Sequence, residues 1–206
     1  QCDTNEITEF TFRGHSIKWI SLCERGVGLS RNTALMRATA DIVLFADDDV
    51  VYADNLEGLV VDEFRKTPKR GVIVFNLESQ NPERKEAVVK KPYRLRWYNC
   101  LKFGSFRIAA KREPVIFNNI FFSLLFGGGA AFSAGEDNLF ITQCLKNGLS
   151  GWASEQSIGT VKQEDSTWFS GYHSKYYHDR GVLFYKMYGL FAYIVSFLIN
   201  LKNTKG

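Results

Sequence analysis

Three aspartates in a row, Asp47-Asp48-Asp49, follow the apolar run Ile42-Val-Leu-Phe45, and a second acidic pair, Glu136-Asp137, follows Gly135. Adjacent carboxylates raise one another's pKa unless a cation neutralises them, and a divalent metal resolves that conflict. Mg2+ or Mn2+ takes one or two protein carboxylates and fills its other positions with phosphate oxygens and water, so the triplet suits a phosphorylated ligand. The separate pair offers a general base for a hydroxyl while a metal stabilises a phosphate leaving group. A third station is Ser30-Arg31-Asn32, where a capping serine and an arginine at the first helical position would favour an anion. Each motif also has a plainer use. The triplet could be an acidic turn capping the next helix, and the serine could cap a surface helix. Acids favour a helix start by about 0.3–1 kcal/mol each whatever they do besides.

The surrounding elements put these stations at strand and helix ends. Ile17-Lys-Trp-Ile20 reads as a strand, and the loop Glu24-Arg-Gly-Val-Gly-Leu-Ser30 leads to a helix expected to start at Arg31. Ile42 to Phe45 is a continuous apolar run of the kind a strand buried on both faces shows. Asp54 is placed to cap a helix with Leu56, Leu59, Val60 and Phe64 inward and Pro68 at its end, and Gly71-Val-Ile-Val-Phe75 is another buried strand. This rhythm predicts an α/β domain with a mainly parallel sheet, and ligands gather beyond the carboxyl ends of such strands. Asn138 to Asn147 reads as an amphipathic helix with Leu139, Phe140 and Leu145 inward and Gly148 as its stop, leaving Glu136 and Asp137 on the loop before it.

The whole chain bounds these readings. Its 206 residues, 45% hydrophobic and 23% charged, predict one folded unit, and a net charge of +4 is too small to imply nucleic acid. The excess lies between Arg84 and Arg112, a basic stretch interleaved with Tyr93, Trp97, Tyr98, Phe103 and Phe106. It reads as a solvated insertion or as a surface for phosphate or anionic lipid, with single-stranded nucleic acid a weaker alternative. The four cysteines are scattered with no Cys-x-x-Cys pair, which fits a reducing cytosolic setting, and the three histidines make no metal pattern. Val182 to Ile199 is apolar and aromatic with Lys186 as its one charge. It predicts a helix of about 18 residues that packs on the domain, lies in a bilayer interface or begins a membrane anchor.

Taken in order, Glu24-Arg-Gly-Val-Gly-Leu-Ser-Arg-Asn32, Ile42-Val-Leu-Phe-Ala-Asp-Asp-Asp-Val50, Phe126-Gly-Gly-Gly and Gly135-Glu-Asp137 resemble the inverting family 2 glycosyltransferases with the GT-A fold, especially bacterial enzymes that build capsular and surface polysaccharides. The resemblance runs across most of the chain. It implies an α/β, Rossmann-like, mainly parallel sheet flanked by helices, with residues 1–170 forming the catalytic domain and 171–206 a C-terminal helical segment. Family members normally open with a strand, a helix and a strand that contact the nucleotide base, so a chain opening on the polar string Gln1-Cys-Asp-Thr-Asn5 reads as lacking that first β-α-β segment.

The resemblance further implies roles. Asp48, with Asp49, would hold Mg2+ or Mn2+, and Asp47 would lie nearer the ribose. Ser30, Arg31 and Asn32 would flank the diphosphate, and Asp137 would be the base. Glu136 would orient the acceptor beside Gly135, and Trp168, in Gln163-Glu-Asp-Ser-Thr-Trp168, would stack on a sugar ring. The implied partners are a nucleotide-diphosphate sugar and a saccharide or lipid-linked acceptor, with peripheral contact at the cytoplasmic face of the membrane and no nucleic acid. Two other readings compete: a sugar-phosphate nucleotidyltransferase, and a non-catalytic, membrane-associated sugar-binding or assembly subunit that keeps the fold.

Overall fold

The computed structural model describes residues 2–82, 86–162 and 173–203, with side chains placed as far as residue 197. A hairpin of β1 (Glu6–Phe12) and β2 (His15–Ser21) comes first, followed by α1 (Val27–Arg37), β3 (Ile42–Leu44), β4 (Val50–Tyr52), α2 (Leu56–Lys66) and β5 (Arg70–Ser79). Then come β6 (Tyr93–Arg94), β7 (Ile108–Lys111), α3 (Arg112–Phe117), α4 (Glu136–Lys146), β8 (Ser150–Val161), α5 (Ser174–Tyr188) and α6 (Ala192–Asn203).

The core is organised by β5, whose residues from Arg70 to Leu77 are all buried. Successive side chains of a strand point to opposite faces. Val72 and Val74 therefore join one cluster, with Leu35 of α1, Val115 of α3 and Phe140, Ile141 and Cys144 of α4. Ile73, Phe75 and Leu77 join another, with Val60 and Phe64 of α2. Helices thus cover both faces of the sheet, which is why the run Gly71–Phe75 is apolar without alternation.

The sheet is mixed rather than mainly parallel. Its order is β3-β7-β5-β8-β4, with β6 on β8. Among the described residues, β5 and β8 are parallel neighbours, whereas β3–β7, β5–β7, β4–β8 and β6–β8 are antiparallel. Since β3 and β5 both oppose β7, they run the same way as each other, as the strand-helix-strand rhythm predicts. The correction comes from β7, Ile108–Lys111, whose short apolar run Ile108-Ala-Ala110 is hidden between Arg107 and Lys111. Its Ala109 and Ala110 fit between sheet faces already crowded by helices, so the supposed insertion supplies a strand to the middle of the sheet. Arg107 itself is fully buried, donating to a Glu86 carboxylate oxygen at 2.7 Å and to the Ala87 carbonyl at 2.9 Å.

Three further expectations shift. β3 is an edge strand, half-buried throughout, and not buried on both faces. Asn55, not Asp54, stands at the N-cap of α2, and no side-chain cap bond forms there. The apolar segment from Val182 does not form one helix: it breaks at Gly189 into α5 and α6, and no described helix is long and apolar enough to cross a membrane. All four cysteines are free, Cys2 and Cys23 exposed and Cys100 and Cys144 buried.

Candidate active site

The site grows from α1. Its helix begins at Val27, not Arg31, because the Val27 N–H finds the Gly128 carbonyl at 3.0 Å and the Gly26 carbonyl accepts the first helical bond from the Ser30 N–H at 3.1 Å. Ser30 therefore lies inside the first turn, its hydroxyl 3.4 Å from the Gly26 carbonyl, and is not the cap. Arg31 and Asn32 point inward instead of lining an exposed helix end. Asn32 clamps one residue of the chain passing beside it, donating to the Phe122 carbonyl at 2.9 Å and accepting from the Phe122 N–H at 2.8 Å.

Arg31 joins two of the three stations. One guanidinium nitrogen donates to Asp47 Oδ1 at 2.7 Å and another to Glu136 Oε1 at 2.9 Å, while the group lies over the Phe122 ring. Only 9% of Arg31 is exposed. The planar fork of arginine can serve two carboxylates at once, which a lysine ammonium does less well. Asp47, Asp48 and Asp49 lie on the turn between β3 and β4, as expected of acids at a strand's carboxyl end. Phe45, just before the turn, packs edge-on against Phe122 and Phe140, which are themselves stacked at 4.4 Å. This aromatic trio ties the acidic turn to α4.

The second station differs from the loop expected. Glu136 and Asp137 are the first two residues of α4, with Gly135 at its N-cap. Gly135 has φ 117°, and a Cβ there would lie 2.6 Å from Leu183 of α5. Gly127, at φ 105°, is constrained from the other side, since a Cβ would meet the Glu136 carboxylate at 2.8 Å. The glycines thus bring backbone against Glu136 and α5 against the helix start. Glu136 Oε2 accepts from the Gly135 N–H at 3.2 Å. Asp137 Oδ1 accepts from the Asn138 backbone N–H at 2.6 Å and from Asn138 Nδ2 at 2.7 Å.

Burial, and then the charge of Glu136, push the Asp137 carboxyl up to about 7, although Asn138 and Arg31 pull the other way. Asp137 as a whole residue is half-buried. A carboxylate poised near neutrality is what a general base for a hydroxyl requires. The acidic turn has a different environment: Asp48 is exposed. The other two acids of the turn, Asp47 and Asp49, act on the half-buried Tyr52, whose hydroxyl donates to the Phe106 carbonyl at 3.0 Å. Burial of Tyr52, with the charges of Asp47 and Asp49, raises that phenol's pKa well above its ordinary value.

Among the described residues no group of three or more His, Cys, Asp and Glu side chains gathers as a metal cage. The carboxylates at the turn that could serve a metal are Asp48, which is exposed, and Asp49, while Asp47 pairs with Arg31. Two carboxylates are the share that Mg2+ or Mn2+ takes from protein when phosphate oxygens supply the rest, so the residues fit a metal shared with a diphosphate. Trp168 and the string from Gln163 lie outside the described residues.

Several participants were not anticipated. Phe122 supports both Arg31 and Asn32, yet a phenylalanine in a Phe- and Ile-rich run carries no local signal of it. Asn138 holds Asp137, and its own buried Oδ1 has no hydrogen-bond partner among the described residues. Asp179 of α5 accepts from the Ser133 N–H at 3.0 Å, the Ser133 hydroxyl at 2.9 Å and Lys175 at 2.7 Å, fastening α5 to the glycine-rich segment before α4.

A family model described as "Glycosyl transferase family 2" matches residues 4–126, more than half of the chain. The crystal structure of S. aureus TarS 1-349 in complex with UDP-GlcNAc is similar in fold, with a TM-score of 0.59 at 16% identity over 77% of this chain and 46% of that one. The complex of the same protein with UDP gives 0.58 at 16% identity over 79% and 46%. The chain therefore spans less than half the length of TarS 1-349. No curated protein sequence matches it.

Proposed function

This chain belongs to glycosyltransferase family 2, and from that premise we propose that it transfers a sugar from a nucleotide-diphosphate donor, with inversion, to a hydroxyl of a saccharide or lipid-linked acceptor in surface-polysaccharide synthesis at the inner face of the membrane. The observation that carries the reading is Arg31, which bridges Asp47 and Glu136 and so sets the acidic turn beside Asp137. A turn open enough to meet a metal diphosphate and a carboxyl tuned near neutrality are the two halves of such a transfer.

Asp137 takes the proton of the acceptor hydroxyl as that oxygen bonds to the anomeric carbon, on the face opposite the donor diphosphate. The bond from anomeric carbon to phosphate oxygen breaks, and its electron pair leaves with the nucleoside diphosphate. Asp48 and Asp49 would hold a Mg2+ or Mn2+, which would supply positive charge against the charge that develops on that leaving group. Glu136, fixed by Arg31 and by the Gly135 N–H, orients the acceptor. Asp47 faces the donor ribose. Ser30 and Asn32 act on the donor side by shaping the first turn of α1 and the backbone at Phe122.

UDP-GlcNAc, the molecule bound in the TarS complex, is the first donor to test. The experiment measures release of UDP with Mn2+ for the parent protein, Asp48→Asn and Asp137→Asn, alongside calorimetry of UDP binding. Loss of turnover in both variants, with UDP binding lost only in Asp48→Asn, supports the mechanism. Turnover surviving both substitutions sinks it, and UDP binding with no turnover in the parent points to a non-catalytic sugar-nucleotide-binding subunit.

A further inference from the structure

After the break at Gly189, the part of α6 up to Phe197 has little packed against it among the described residues. Of its residues up to Phe197, only Ala192 is buried. Leu190 and Phe191 in the bend and Tyr193, Ile194 and Phe197 in the helix are each between 58% and 78% exposed. An exposed apolar patch of this density marks a contact surface, where scattered single residues would not. At 12 residues the helix is about 18 Å long, too short to cross a bilayer but suited to lying in its interface.

The neighbouring surface indicates what covers it. Tyr188, at the end of α5, donates its hydroxyl to the Trp97 carbonyl at 2.9 Å, and the two rings are 5.6 Å apart. This places the loop from Arg94 to Lys102 beside the bend. Trp97 and Tyr98 on that loop are themselves exposed, and so are Arg94, Arg96 and Lys102. None of these three cations forms an ion pair among the described residues. No Asp or Glu occurs between Ala87 and Arg112, or from Arg180 to the end of the chain.

We infer that α6, the Gly189 bend and the loop from Arg94 to Lys102 form one surface that docks on an anionic lipid bilayer. The apolar side chains of α6 enter the acyl boundary, Trp97 and Tyr98 sit at headgroup level, and the cations meet lipid phosphates. A second copy of this chain fits less well, because a two-fold contact through this patch would set its cationic loop against its own image. The inference rests on the membrane-side placement proposed above and names the surface responsible. It is read out by lipid contact, which does not depend on sugar transfer.

The test is flotation of the full chain with phosphatidylcholine vesicles, with and without phosphatidylglycerol. The parent protein is expected to float with the anionic vesicles and to be released as salt rises. Arg94→Glu with Arg96→Glu should weaken partitioning by at least about tenfold, since each cation near an anionic surface contributes roughly a factor of five. Phe191→Glu with Ile194→Glu should abolish it, and thermal unfolding should be unchanged because both side chains are exposed. Asp137→Asn should float like the parent, which separates this surface from the chemistry. Failure to float with anionic vesicles would overturn the inference, as would equal, salt-insensitive binding to both vesicle types. So would a dimer in solution, with no flotation, that Phe191→Glu with Ile194→Glu converts to monomer.

Discussion

The two acidic stations use the same side chain in opposite surroundings. Asp48 stands exposed on a turn at the end of an edge strand, whereas Asp137 sits half-buried in the first turn of α4, whose N-cap Gly135 packs against Leu183 of α5 and whose Phe140 joins the aromatic trio. In water a carboxylate stays ionised and can meet a cation; in a desolvated pocket it holds its proton toward neutrality. On the function proposed above, the exposed Asp48 suits a metal and the desolvated Asp137 suits a proton. Arg31 touches both stations and is shared by them, so each depends on the other for its geometry.

Removing the buried acid should have the largest effect. Asp137→Asn keeps an oxygen for the two Asn138 donors but loses the base, and turnover should fall by about 10²–10⁴. In the parent protein kcat/KM should rise with pH through the neutral range as Asp137, held up to about 7, gives up its proton. Stability should move the other way. The folded chain keeps the Asp137 proton in a range, between the ordinary carboxylate pKa and about 7, where the unfolded chain has released it. Stability from this group is therefore full at acid pH and lost as pH rises toward neutrality. Asp137→Asn escapes that loss, so its urea midpoint should exceed the parent's at pH 8 and the gap should narrow as pH falls toward 4. Equal gaps at both pH values would remove the contrast between the stations.

Arg31 is the next test, because it is the link between them. Arg31→Gln leaves Asp47 and Glu136 without their cation and should destabilise the fold by about 2–4 kcal/mol, toward the low end for a buried pair because Asp47 is a third exposed. Arg31→Lys should recover part of that loss, since one ammonium cannot reproduce both arms of the fork. Chemical denaturation of the two variants gives the comparison directly. Identical stabilities for Arg31→Lys and the parent would mean that the two-armed contact contributes nothing beyond charge.

How far these features could be read in advance depended on whether their signal was local. β5 was legible because helices on both faces force a continuous apolar run, and the acidic turn because its charges interrupt one. The helix from Asn138 was legible from periodicity, but its first turn was not, since Gly135 at the N-cap extends it backward by two residues. α1 was misplaced for a similar reason. Ser30 has the chemistry of a cap, yet Gly128, about a hundred positions away, supplies the carbonyl that lets the helix begin at Val27. The antiparallel β7 hid inside a basic stretch because alanines carry little strand signal. The bridge of Arg31 to Glu136 spans 105 positions and leaves no pattern in a single sequence.

The smallest effect is expected at the exposed station, and it is informative because it splits binding from folding. Asp48→Asn removes one of three neighbouring negative charges from a solvent-exposed turn, so stability should change by no more than about 0.5 kcal/mol. Any change should be toward greater stability, as repulsion from Asp47 and Asp49 is relieved. Binding of UDP with Mn2+ should nevertheless weaken by about tenfold or more, because a charge-assisted contact is worth about 1.5–3 kcal/mol. Calorimetry and denaturation on one preparation measure both quantities. An Asp48→Asn protein that unfolds early would show the turn to be structural; one that stays folded and loses UDP affinity only when Mn2+ is present would tie Asp48 to the metal rather than to the nucleotide itself.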